Sequence, residues 1–307
     1  FLPNHQSALI DVLLIAVDCN RKPYFLTRSD VFKGKFLNSV FDFFRMIPIY
    51  RIRDGRETLK NNQAVFDRCS ELFIKKEAIL MFPEANHSLK RRVRPLSKGF
   101  TRILFNTFEK APDIDIQIVP VGINYKDAES FPDKVALYFD TPIAVNEMYD
   151  PKDEKESVNL IKEKVSNRLQ NLTTHIADEG NYEEIIKQLD ALGVDYLKPK
   201  EVNKTLQNLG AAQVQNKKKS KFLSLLSRGI FNLLNLPVLV LWRIFGKPKV
   251  WEAEFMGTLR FTFALVAYPI YYGLVFMLLA LTWNSFVGLA GVIGLFVFNT
   301  LYVKTNW

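Results

Sequence analysis

Two side chains near the start of the chain have the types and spacing for proton transfer. Asn4-His5-Gln6-Ser7 precedes an apolar run, Ala8-Leu9-Ile10-Asp11-Val12-Leu13, that contains one acid, Asp11. A carboxylate in apolar company ordinarily needs a partner. A His held by an Asp is a general base, because the acid fixes the tautomer and stabilises the imidazolium. The same residues also fit a plain helix start, with Ser7 or Asn4 as the cap and Asp11 exposed. Of the other histidines, His175 lies in a polar helical stretch and reads as a solvated surface residue. His87 follows Pro83-Glu84 and is expected near the site.

Three further clusters carry functional groups. Phe82-Pro83-Glu84-Ala85-Asn86-His87-Ser88 directly follows a buried apolar run, and loops at the carboxyl ends of strands commonly hold active sites. Lys90-Arg91-Arg92-Val93-Arg94 comes next. Arginine forks suit phosphate because they donate two parallel hydrogen bonds, although such a run also fits a solvated face. Arg51, Arg53 and Arg56 follow the strand-like Ile47–Tyr50, and Val119-Pro120-Val121-Gly122 has the Pro and Gly that shape a strand end.

The elements that must position these groups alternate. Helical patterns run over Ser7–Val17, Arg56–Lys75 and Phe100–Phe108, and strand-like runs over Pro23–Leu26, Ile47–Tyr50, Ala78–Phe82, Ile114–Asn124 and Val135–Phe139. Interleaved strands and helices predict an α/β fold, a mixed sheet flanked by helices, over residues 1–150. Residues 151–212 are polar and predict a helical extension of two or three helices, with Gly193 as a helix stop.

The net charge of +9 points to an anionic partner. Between Gln213 and Trp251 the basic residues Lys217, Lys218, Lys219, Lys221, Arg228, Arg243, Lys247 and Lys249 occur without an acid. The uncharged Gly229–Trp242 is short for a span, so 213–251 reads as a basic interfacial segment. Phe261–Val303 carries no charge and is about twice one span. Residues 252–307 therefore predict a transmembrane hairpin turning at Asn284-Ser285. Arg260 and Lys304 fall on one side, which the positive-inside rule makes cytoplasmic. Because the basic residues border membrane-like segments, a bilayer explains them better than nucleic acid does. Cys19 and Cys69 lack metal or redox spacing and read as reduced structural thiols. The chain opens at Phe1 without an initiator Met, so residues upstream are expected.

The four clusters, in this order, resemble the blocks of the glycerolipid acyltransferases, the lysophosphatidate and glycerol-3-phosphate acyltransferase family. Asn4-His5 with Asp11 resembles the Asn-His-acid block, with five residues between His and Asp as in some branches. A His–Asp contact at that spacing requires His5 to sit in the loop before the helix, since residues six apart on a helix point about 120° from each other. Ile47-Pro48-Ile49-Tyr50-Arg51-Ile52-Arg53 is similar to the second block, with Arg53 favoured over Arg51. Phe82-Pro83-Glu84 is similar to the third, with Ala85 in place of Gly, and Ile118-Val119-Pro120-Val121-Gly122 to the fourth. The resemblance covers about residues 1–125. It implies a membrane-bound O-acyltransferase that needs no metal or other cofactor. The co-substrate would be acyl-CoA or an acyl carrier protein thioester, and the acceptor the free hydroxyl of lysophosphatidate. Glycerol-3-phosphate or an aminolipid are the alternative acceptors, and a non-catalytic membrane scaffold the alternative of another class. A serine hydrolase built on Ser7 lacks a Gly-x-Ser-x-Gly elbow. The implied roles are His5 as base and Asp11 as its orienter. Arg51, Arg53, Glu84, Arg91, Arg92, Arg94, Pro120 and Gly122 would then bind or shape the acceptor.

Overall fold

In the computed structural model, residues 1–29, 39, 41–50, 62–209 and 222–305 are described. The strands are β1 (Leu2–Pro3), β2 (Tyr24–Arg28), β3 (Met46–Ile49), β4 (Ile79–Leu80), β5 (Gln117–Ile118), β6 (Pro120–Tyr125), β7 (Val135–Phe139) and β8 (Ile143–Ala144). The core helices are α1 (Ala8–Asp18), α2 (Asn62–Ile74), α3 (Gly99–Lys110), α4 (Glu154–Leu172), α5 (Tyr182–Leu192) and α6 (Pro199–Gln207). β2 pairs in parallel with both β3 and β4, while β6 pairs in parallel with β1 and antiparallel with β7. The Phe1 backbone joins these two triplets: its amino nitrogen donates to Ile79 O at 2.7 Å and its carbonyl accepts from Met81 N at 3.1 Å. The result is one mixed sheet in the order β3-β2-β4-β1-β6-β7, with β1 in the middle. The expected α/β class is observed.

Side chains alternate across the sheet with period two, which sorts the core into two layers. Leu26, Ile47 and Ile79 face α2, α3 and α4, with Val65, Cys69, Phe100, Ile103, Val165 and Leu169. Phe25, Leu80, Val121 and Ile123 face α1 and its Ile15. Helix α4 carries a buried stripe, Ser157, Ile161, Val165, Leu169 and Leu172, and Asp153 caps it by accepting from Glu156 N at 3.0 Å. Its residues pack in the main core, so the division expected at residue 150 falls inside one hydrophobic layer. Helices α5 and α6 have their own small core of Ile176, Tyr182, Leu189, Tyr196 and Val202. Gly193 ends α5 at φ 67°, a left-handed position that favours glycine.

The single strand expected over Ile114–Asn124 is two strands broken at Val119. β5 pairs antiparallel with β8, whereas β6 joins the main sheet. Pro120 has no N–H to continue the first ladder, so the chain changes partners there.

The C-terminal region holds α7 (Phe222–Leu234), α8 (Leu236–Leu241), α9 (Met256–Thr282) and α10 (Ser285–Thr305). Ala253–Thr282 and Ser285–Thr305 are long and apolar enough to cross a membrane. The chain turns at Trp283-Asn284, where expected, and Asn284 Oδ1 accepts from Val287 N at 3.0 Å. The interfacial helix expected over Gly229–Trp242 is instead two pieces bent by 81° at Asn235. Pro237 has no N–H for a continuous helix and its ring would meet the carbonyl four residues back. The freed Leu234 carbonyl accepts from the Tyr271 hydroxyl. Asn235 and Asn299 exchange two side-chain bonds of 2.8 and 3.0 Å, and Asn299 also donates to Tyr272 at 3.1 Å. This amide clasp holds the bent helix against the hairpin. Lys217, Lys218, Lys219 and Lys221 lie outside the described residues.

Candidate active site

Strand β1 is two residues long, and a side chain extends it. Asn4 donates Nδ2 to Ile123 O at 3.1 Å and accepts from Ile123 N at 2.7 Å, so its amide continues the ladder to β6 as a peptide group would. The chain then leaves the carboxyl end of the sheet at His5, in the loop before α1. That placement resolves the spacing of the His–Asp pair. Asp11, in the first turn of α1, folds back over the helix start. Its Oδ2 accepts from Gln6 N at 2.7 Å and Ser7 N at 2.8 Å, two donors that a helix start leaves unpaired. The same oxygen bonds His5 Nδ1 at 2.8 Å, and Oδ1 accepts from Tyr125 Oη at 2.6 Å. Asp11 is fully buried. Burial first, then the adjacent Asp11 carboxylate, pushes the Tyr125 phenol far up, so it remains a donor. Because Asp11 Oδ2 can only accept, His5 Nδ1 carries the proton and Nε2 keeps a lone pair.

The Phe82–Ser88 loop leaves the end of neighbouring β4 and forms one wall. The Phe82 ring stacks on His5 at 3.7 Å and 15°, the His87 ring meets it edge-on at 5.6 Å, and Ser88 N donates to His5 O at 3.0 Å. Burial chiefly, and next His5, pulls His87 below the usual histidine range. Ala85 has φ 60°, the conformation the family's Gly would take freely. Glu84 accepts from Arg94 N at 3.0 Å and Arg94 Nη2 at 2.8 Å, with its side chain 2% exposed. Arg94 also donates to the Asn86 and His87 carbonyls. Glu84 and Arg94 therefore lock the loop.

The arginine run separates by environment. Arg91 donates to Tyr125 O at 2.9 Å and Lys126 O at 2.8 Å and lies 3.6 Å over the Tyr196 ring, so it is structural. Arg92 pairs with the exposed Glu179, and its buried Nε has no hydrogen-bond partner among the described residues. It lines a narrow polar recess with His5, Gln6, Ser88, Lys90 and Thr174. Gln6 Oε1 and Thr174 Oγ1 are also buried there without partners among the described residues. Such atoms are expensive to leave unpaired and suit a polar ligand. His175 is half-buried rather than solvated: its Nδ1 accepts from Val93 N at 3.1 Å, and burial, then Arg92, lowers its pKa.

Pro120 and Gly122 lie within β6 and do not line the recess. A Cβ on Gly122 would come within 2.3 Å of Leu172 O, so glycine is required there by the approach of α4. Arg51, Arg53 and Arg56 lie outside the described residues.

The other wall comes from residues that sequence reasoning did not connect to the site. Thr258 Oγ1 accepts from Leu9 N at 3.0 Å, and Glu254 O accepts from Ser7 Oγ at 3.4 Å. The Phe255 ring meets His87 at 4.9 Å and Trp251 at 4.5 Å. Arg260 donates to Ser130 O at 2.8 Å and Glu129 O at 2.9 Å. The foot of the first apolar helix thus sits directly on α1. No local pattern announces these contacts. Tyr125 was open to discovery, since period-two alternation from Val121 and Ile123 turns it toward α1.

The family described as Acyltransferase matches residues 1–124. Glycerol-3-phosphate O-acyltransferase 1 of Saccharomyces cerevisiae is 25% identical over 123 residues, 38% of this chain and 16% of that protein. An uncharacterised acyltransferase of Schizosaccharomyces pombe is 24% identical over 118 residues, 37% of this chain and 18% of that one. The matched segment therefore spans less than a fifth of either relative. The crystal structure of PlsC, the 1-acyl-sn-glycerophosphate acyltransferase from Thermotoga maritima, aligns at 17% identity with a TM-score of 0.35, over 55% of this chain and 65% of that one. Residues 1–124, whose ordered blocks carry the buried His–Asp pair, are thus similar to the Acyltransferase family and to a yeast glycerol-3-phosphate O-acyltransferase.

Proposed function

We propose that the protein transfers a fatty acyl group from acyl-CoA or an acyl carrier protein thioester to the free hydroxyl of lysophosphatidate at a membrane surface. The observation that carries this is the 2.8 Å bond from His5 Nδ1 to a buried Asp11 whose remaining lone pairs are taken by three other donors. His5 Nε2 removes the hydroxyl proton as the oxygen attacks the thioester carbonyl. The tetrahedral intermediate collapses, the C–S bond breaks, and the imidazolium returns the proton to the leaving thiolate. Backbone N–H groups of the Glu84–Ser88 loop stabilise the oxyanion. Arg92 and Lys90, beside His5, receive the acceptor phosphate. No metal or other cofactor enters these steps, and the acyl donor is a co-substrate.

A lipid acceptor is favoured because the foot of a membrane-length helix forms a wall of the site. The acceptor hydroxyl of a lysophospholipid lies at that depth. Arg260 and Lys304 flank the hairpin, and the positive-inside rule supports a cytoplasmic placement of the catalytic core. The alternative acceptor is glycerol-3-phosphate, which the name of the yeast relative specifies. Purified protein in nanodiscs is given labelled acyl-CoA, or acyl carrier protein thioester, with lysophosphatidate, glycerol-3-phosphate or an aminolipid. The expected product is phosphatidate, and His5→Ala is expected to lose roughly 10²–10⁴-fold in rate. Wild-type turnover in His5→Ala would remove the mechanism. Product from glycerol-3-phosphate alone would reassign the acceptor.

A further inference from the structure

We propose that His87, Glu252 and Glu254 form a site for one first-row divalent cation of the zinc or manganese type, which ties the Phe82–Ser88 loop to the foot of the first membrane helix. One ligand atom from each residue lies within 4.8 Å of the others. A tetrahedral centre with ligand bonds of about 2.0–2.2 Å holds its donors about 3.4 Å apart, so a small rotation of the two carboxylates closes the set. The His87 side chain is 9% exposed, and its buried Nε2 has no hydrogen-bond partner among the described residues. That nitrogen faces Glu252 Oε2 at 3.9 Å, too far for a hydrogen bond and close enough to share an ion.

The charge balance favours a cation. Two carboxylates, those of Glu252 and Glu254, converge on the one ring. Glu254 makes a long 3.4 Å bond from Leu89 N. One imidazole nitrogen and two carboxylates suit zinc or manganese. The Phe255 and Trp251 rings shield one flank and reduce competition from water. No local motif announces such a site, because His87 lies about 165 positions before the two carboxylates.

The cation's role here is positioning. It would couple the loop that stacks on His5 to the docking of the membrane helix. The test uses the full chain, free of affinity tags, stripped with chelator in nanodiscs and titrated with Zn²⁺ or Mn²⁺ by calorimetry. The expected result is one equivalent bound, with a rise in thermal midpoint. Glu252→Gln/Glu254→Gln and His87→Gln should each weaken binding at least about tenfold and abolish the thermal shift. The Gln pair preserves shape at accessible positions, and circular dichroism checks the fold. The proposal is overturned if wild-type protein shows no saturable one-equivalent binding up to about 1 mM. It is equally overturned if either variant retains wild-type affinity.

Discussion

Asp11→Asn separates the charge of the buried acid from its shape. In the wild type, three donors and His5 surround the carboxylate. Asn can present its oxygen to the backbone donors and to His5, and turn its amide toward Tyr125, whose hydroxyl can accept. The local fold should therefore persist. What disappears is a full negative charge 2.8 Å from the ring that, in the proposed mechanism, becomes cationic in the transition state. Two unit charges at that distance in an effective dielectric of about 20 interact by about 6 kcal/mol. With the proton about half transferred, the charge contributes about 3 kcal/mol to the transition state, which is about two decades of rate. The expected outcome is a kcat lowered roughly 10²-fold with little change in KM, read from initial rates with labelled donor across acceptor concentrations. A kcat within about threefold of wild type, in a variant with unchanged circular dichroism, would refute an electrostatic role for Asp11.

Other predictions concern stability and pH. Gly122→Ala places a Cβ 2.3 Å from the Leu172 carbonyl and 2.6 Å from its Cβ. Strain should destabilise the fold by about 1–3 kcal/mol or more, measured as a lower chemical-denaturation midpoint. Ala85→Gly removes a left-handed strain at φ 60° and should raise the unfolding free energy by about 1 kcal/mol, read as a higher midpoint. His87 and His175 both have pKa values lowered from 6.5, chiefly by burial. The unfolded chain binds more protons than the native one in the window between 6.5 and the lowered values, so stability should be full above about pH 6.5 and fall as pH drops through that window. His175→Gln, whose amide oxygen can still accept from Val93, should lose less stability between pH 7.5 and pH 5.5 than the wild type does.

Local patterns revealed most of the core. Short apolar runs marked β2, β3, β6 and β7, and the ordered His and Glu blocks pointed to the candidate site. What stayed hidden depended on three-dimensional approach. Arg91, Arg92 and Arg94 are equivalent as a charge run, and only packing shows two of them bound to carbonyls or Glu84. Gly122 reads as a strand-end feature, yet its requirement comes from α4, fifty residues later. The bend at Asn235 was concealed because Pro237 sits in an otherwise uniform apolar run. The second wall of the site lay beyond reach of any motif, since Thr258 meets Leu9 across 249 positions.

The central place of β1 also dictates a timetable for biosynthesis. Its two neighbours in the sheet emerge from the ribosome 78 and 119 residues after it. At about 5–20 residues per second, the segment bearing His5 waits on the order of ten seconds for β6 before its ladder can close. The last contacts of the pocket arrive only with the first membrane helix. A nascent chain therefore brings His5 and Asp11 together early and closes the pocket around them only after its first apolar helix has been made.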